Sequence, residues 1–285
     1  MLNESSIIVD RVKLNWATGP EHGPPLLMFH GVLRRWQGFV PLAGALSTRW
    51  HVHALDHRGH GKSDRVADRY QVIDYIRDMA AVVSQQFREP VVLYGHSLGA
   101  MVAMGVAAAV PELVKAIVLE DPPLDTMGAR IAPSALHNYF AAVQTLVPTQ
   151  DSPLVIARRL TELTYLHPGT GETLTIGKQR DATTLRFMST CLAQLDPGVL
   201  VPIVERRWLE GWNWQQELPK VRCPVLLLQA DEIAGGMLID TDAQQCVDLI
   251  PDCTLIKMRG VGHLMHWQRP GEVTNHTLTF LEAIR

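Results

Sequence analysis

The chain of 285 residues is 47% hydrophobic and 19% charged, with a formal net charge of −3. That length and apolar content suit one large α/β domain or a core with an insertion. The scattered charge argues against a nucleic-acid-binding stripe, since clusters such as Arg34-Arg35 and Arg206-Arg207 are short enough to be solvated surface. Met1–Ser5 lacks a charged leader pattern, and no run reaches about eighteen uninterrupted apolar residues, so a soluble cytoplasmic protein with no membrane partner is expected. Cys191, Cys223, Cys246 and Cys253 have no C-x-x-C spacing and are expected to be reduced and structural.

In chain order, Ile7–Thr18 reads as a strand, and Leu26–His30 as a second, fully apolar one ending at His30-Gly31. Val52–Asp56 is a third, running into Asp56-His57-Arg58-Gly59-His60-Gly61, and Ile73–Phe87 has helical spacing. Pro90–Tyr94 is a buried strand leading into Gly95-His96-Ser97-Leu98-Gly99, and Ala100–Val110 is a helix rich in small residues. Ala116–Glu120 is a strand ending at Asp121-Pro122-Pro123. From Pro122 to about Leu218 strands give way to helical stretches around 134–147, 153–166, 180–195 and 198–214. The alternation then resumes with strands Pro224–Gln229 and Thr254–Met258 and helices Asp242–Leu249 and Gly271–Ile284. Strands that are apolar throughout, alternating with helices, imply a mostly parallel sheet covered on both faces. Its functional residues belong at the carboxyl ends of the strands, here His30-Gly31, Ser97 and Asp121.

The G-x-S-x-G motif gains meaning from its place between a strand and a helix. A serine at that sharp turn is pushed outward, and the flanking glycines let strand and helix pass closely. Ser97 is therefore the candidate nucleophile. A metal site on His53, His57 and His60 is disfavoured, because their loop has a structural explanation and no matching ligand cluster elsewhere; no cofactor or metal is expected.

With His30-Gly31, Asp56–Ser63, Gly95–Gly99 and Gly262-His263 all in order, the whole chain resembles the α/β-hydrolase family. The resemblance implies a core at 1–121 and 219–285, with a helical lid at 122–218. It implies His263 as the base, with His266 as lining or structural. It also implies an oxyanion hole from the backbone N–H groups of Val32 and Leu98, with His30 bracing the loop. The common acid position after Pro224–Gln229 departs from the family pattern: Ala230 replaces a glycine, and the third residue beyond it is Ile233. A second family position, after the strand that follows the nucleophile helix, holds Asp121. Strand alternation lets only one of Glu120 and Asp121 face the histidine. The offset favours Asp121, with Asp231 as the main alternative and Glu120 or Glu232 behind it.

These parts imply ester, thioester or lactone hydrolysis through an acyl-serine. Trp36, Tyr139, Met188 and Trp208 are candidates for the pocket wall. No arginine pair for a substrate carboxylate is evident, so a small, largely apolar, uncharged ester or lactone is the expected partner. Rival readings on the same scaffold are a carbon–carbon bond hydrolase for ring-cleavage products, a cofactor-independent perhydrolase or oxygenase, and a receptor that signals by lid closure.

Overall fold

The computed structural model describes residues 2–132, 134–147, 151–166 and 170–284. In chain order its strands are β1 (Asn3–Val9), β2 (Val12–Thr18), β3 (Pro25–Phe29), β4 (His51–Leu55), β5 (Val91–His96), β6 (Val114–Glu120), β7 (Thr164–Leu166), β8 (Thr173–Thr175), β9 (Val225–Ala230) and β10 (Cys253–Met258). Eight of them form one sheet in the order β1-β2-β4-β3-β5-β6-β9-β10. The pairs β1/β2 and β2/β4 are antiparallel, and the remaining neighbours run parallel.

The expected single strand at Ile7–Thr18 is two. Asp10 and Arg11 both adopt positive φ, 47° and 70°, which makes a tight hairpin turn whose twist matches the strands it joins. In the parallel part, alternation divides each strand between two cores. Val91 and Leu93 of β5 join Ile117 and Leu119 of β6 beneath the helices Val72–Gln86 and Leu98–Ala109. Val92, Tyr94, Ala116 and Val118 face the opposite side, where the helices Val40–Leu46 and Pro270–Ala283 pack. Both faces are therefore buried, which explains why the strands read as unbroken apolar runs. The helix Val40–Leu46 escapes the sequence reading because Pro41 and Gly44 interrupt its pattern.

Register carries the sheet to the site. His96 lies opposite Glu120, and Glu120 opposite Leu228, so β5 and β6 end level with one another and β9 runs on two residues to Ala230. Between β6 and β9 the chain forms an insertion over those ends. Its helices include Ala135–Gln144, Pro153–Glu162 and Ala182–Ala193, with the small β7/β8 hairpin beside them. The helix expected over 198–214 is instead a 3-10 turn at Pro197–Leu200 and a short helix at Val201–Val204. Pro197 and Pro202 restrict continuation there, and Arg206 takes φ 62°.

Candidate active site

Strand β5 ends at His96 and a helix starts at Leu98, so Ser97 alone makes the turn. Its backbone stands at φ 56° and ψ −117°, a region where a Cβ is crowded. The glycines make the turn sterically feasible. A Cβ on Gly95 would lie 2.2 Å from the Gly99 carbonyl oxygen, and one on Gly99 would lie 1.8 Å from the Phe29 carbonyl oxygen. Ser97 thereby reaches a cavity of about 220 Å³ that His263 also lines.

Asp121 follows β6 at φ 46° and is fully buried. Its Oδ2 lies 2.6 Å from His263 Nδ1 and accepts the Met237 N–H at 2.8 Å. Its Oδ1 accepts the N–H groups of Ala230 and Leu238 at 3.1 and 3.2 Å. Both oxygens are thus satisfied, as burial of a carboxylate demands. With Nδ1–H donated to Asp121, the acceptor nitrogen of a neutral His263 is Nε2. Asp231 does not share this role. Its carboxylate accepts the N–H groups of Ile233 and Gly260 at 2.9 and 2.8 Å, which ties two loops together instead.

Glu120 points the other way, as alternation requires. Its Oε1 accepts from His266 Nδ1 at 2.7 Å and from the His266 backbone N–H at 3.0 Å, and its Oε2 accepts the Tyr94 hydroxyl. Burial opposes its charge, but His266, His96 and Tyr94 outweigh burial and hold its pKa down to about 2. His266 is buried and absent from the cavity wall, so it is structural rather than lining. His96, Glu120 and His266 present ligand-type atoms within 4.8 Å of one another. Hydrogen bonding accounts for the cluster, since His96 Nε2 also meets the His263 carbonyl at 2.9 Å.

The turn after β3 is braced from below by imidazoles. His30 Nε2 accepts the His57 N–H at 3.1 Å, and His57 Nε2 donates to the His30 carbonyl at 3.1 Å. Burial depresses these rings, His30 to about 4 and His60 to about 3, so they are neutral near pH 7. His53 lies apart, packed against Trp16 and Phe87. Above this brace Leu33 takes φ 63°, and Val32 faces the cavity. Leu98 opens its helix, so its N–H lacks an acceptor within that helix and belongs to the electropositive end.

Tyr139, Met188 and Trp208 line the cavity. Trp36 does not. Its N–H groups are held by Asp56 at 2.7 Å (backbone) and Glu4 at 2.6 Å (indole), which turns the ring toward the N-terminal strands. Among the cavity residues that escape sequence reading, Arg34 and Arg180 carry charge, and Arg34, expected to be solvated surface, faces the cavity instead. They are far apart along the chain, and no local pattern marks their meeting.

The alpha/beta hydrolase family model matches residues 26–276, and the chain belongs to this family. A 2-(acetamidomethylene)succinate hydrolase of Mesorhizobium japonicum is 38% identical over 130 residues, 43% of this chain and 47% of that protein. The chain thus matches about half the length of that relative. An sn-1-specific diacylglycerol lipase of Xenopus laevis is 26% identical over 269 residues, 92% of this chain and 80% of that protein. Among solved structures, a bacterial membrane phospholipase A superposes with a TM-score of 0.77 at 25% identity, covering 100% of this chain and 87% of that one. A carboxylesterase and lactonases share the fold as well.

Proposed function

We propose that the protein is a serine hydrolase that cleaves carboxylic esters or lactones through an acyl-serine. The observation that carries this is the buried Asp121 carboxylate 2.6 Å from Nδ1 of the imidazole that shares a cavity with Ser97. In this reading His263 Nε2 takes the Ser97 proton as Oγ bonds to the substrate carbonyl carbon. The resulting oxyanion is met by the N–H groups of Val32 and Leu98. Collapse breaks the bond to the alcohol oxygen, which leaves with the proton held by His263. Water then attacks the acyl-serine, giving His263 a proton, and the second collapse returns that proton to Ser97 and frees the acid. Asp121 holds the imidazole tautomer and stabilises the imidazolium. The hydrolytic names of the relatives support the bond-cleaving class, and the esterases and lactonases that share the fold are compatible with the finer reading.

The test is the initial rate on 4-nitrophenyl esters from acetate to decanoate, for wild type and Ser97→Ala. Turnover by wild type, best at short chains as the cavity volume implies, and a loss of about 10⁴-fold or more in the variant are expected. Turnover surviving in Ser97→Ala would overturn the assignment.

A further inference from the structure

The cavity carries a charge for which the reaction above has no use. Arg34 and Arg180 both line it, each half-buried, and among the described residues no aspartate or glutamate does. In a chain of net charge −3, a lining with two guanidinium groups and no carboxylate is a local reversal of sign. Arg58, the most buried of the described arginines, pairs with Asp78, and the half-buried Arg207 with Glu205, while Arg35 meets Gln194 and the Phe187 ring. Among the described residues Arg34 and Arg180 pair with no carboxylate. Arg34 Nη1 donates to the adjacent Leu33 carbonyl and Arg180 Nη1 to the adjacent Gln179 carbonyl, each at 3.2 Å. A guanidinium has five N–H donors, so most of each fork remains available.

The two arrive from different parts of the fold. Arg34 follows the left-handed Leu33, in the turn closed by its own N–H on the Gly31 carbonyl at 3.2 Å. It is thereby fixed two residues from Val32, beside the candidate oxyanion hole. Arg180 comes from the insertion, directly after the short helix Ile176–Gln179. Tyr139 reports on both. Burial pushes its hydroxyl pKa up, while Arg34 and Arg180 each pull it back, so both cations stand within electrostatic reach of one phenol. That hydroxyl has no hydrogen-bond partner among the described residues, and it lines the same cavity. Two like charges in a partly desolvated pocket repel, and an anion between them removes the repulsion and gains charge-assisted hydrogen bonds.

We propose that Arg34 and Arg180, with the Tyr139 hydroxyl, form an anion subsite within the catalytic cavity, and that the substrate is an ester or lactone bearing a carboxylate. This rests on the serine-hydrolase reading for the reaction, but the subsite itself does not. A carboxylate is the compact choice, because a cavity of about 220 Å³ must also hold the reacting acyl group. The uncharged substrate expected from the sequence is replaced.

The decisive comparison is mono-4-nitrophenyl adipate against 4-nitrophenyl hexanoate, which differ by a terminal carboxylate in place of a methyl. Wild type is expected to prefer the adipate roughly tenfold to a hundredfold in kcat/KM, mostly through KM. Arg34→Gln/Arg180→Gln should bring that ratio to about one, Arg34→Lys/Arg180→Lys should restore part of it, and added salt should erode it. No preference in wild type, or a preference that persists in the double glutamine variant, overturns the proposal. If neither ester turns over, the hydrolase reading fails on its own. Calorimetric titration with glutarate then decides the subsite: binding by wild type that the double variant loses supports it, and no binding overturns it. Inorganic phosphate binding as tightly as glutarate would overturn the carboxylate assignment in favour of a phosphate site. If the double variant does not fold, the single variants and the wild-type preference carry the test.

Discussion

Asp121–His263 and Glu120–His266 are two carboxylate–imidazole pairs of similar length, 2.6 and 2.7 Å, built from adjacent residues at one strand end. Their surroundings separate them. The His263 side chain keeps 21% of its surface and faces the cavity, whereas His266 keeps 4% and packs against Phe39 and His96. Asp121 takes three backbone N–H groups from β9 and the loop beyond it, while Glu120 is closed off by Tyr94 and the His266 backbone. The same bond thus serves two ends. In the open pair it orients an imidazole that faces the cavity, the base of the proposed reaction, and in the sealed pair it fixes the segment that carries that imidazole.

The sharpest way to break this comparison is Asp121→Asn, expected to lower kcat/KM by about 10³–10⁴-fold, because an amide no longer selects the required tautomer. Ester kinetics read this directly. Glu120→Gln performed in parallel should leave kcat/KM within about fivefold, so an equal loss in both variants would erase the distinction drawn above.

Acid tests the buried imidazoles next. His30 and His60 have folded pKa values of about 4 and about 3 against 6.5 when unfolded. The unfolded chain therefore binds more protons below pH 6.5, and stability present above that value drains away as pH falls toward the folded values. At pH 5 the loss should be on the order of 2 kcal/mol for each ring, measured by urea unfolding at pH 7.5 and 5. Glu120 adds its own loss only below about 4.5, its unfolded value, as pH falls toward about 2. Unchanged stability across that interval would mean that these rings are not held neutral by burial.

A smaller effect is expected for the stability of Glu120→Gln itself, a decrease of about 1–3 kcal/mol from one mismatched buried acceptor. Smallest of all is Asp231→Asn, which should leave kcat/KM within about twofold and move the urea midpoint less than Glu120→Gln does. A large kinetic loss there would return the acid's role to the loop after β9.

Much of this contrast was legible in the chain. Ser97 announced itself because a backbone turn with so little room demands glycine on both sides, and such local steric rules are written in sequence. The two-residue period of a strand separates Asp121 from Glu120 without knowledge of any partner, and the offset implied by the family resemblance favours Asp121 of the two. Trp36 was misjudged because its orientation depends on Glu4 and Asp56, one on a neighbouring strand and one at the end of another. Arg34 and Arg180 were illegible for the same reason in stronger form: each reads as surface charge until the insertion folds over the strand ends. The β7/β8 hairpin is also invisible to periodicity, since three residues per strand are too few to show an alternation.

Ser97 occupies backbone angles that glycine adopts freely and serine does not. A population selected only for a robust fold would therefore drift toward glycine there and lose the hydroxyl. On the proposed reaction, Ser97→Gly would ease the backbone and remove the nucleophile in one step, so stability and chemistry pull this position in opposite directions.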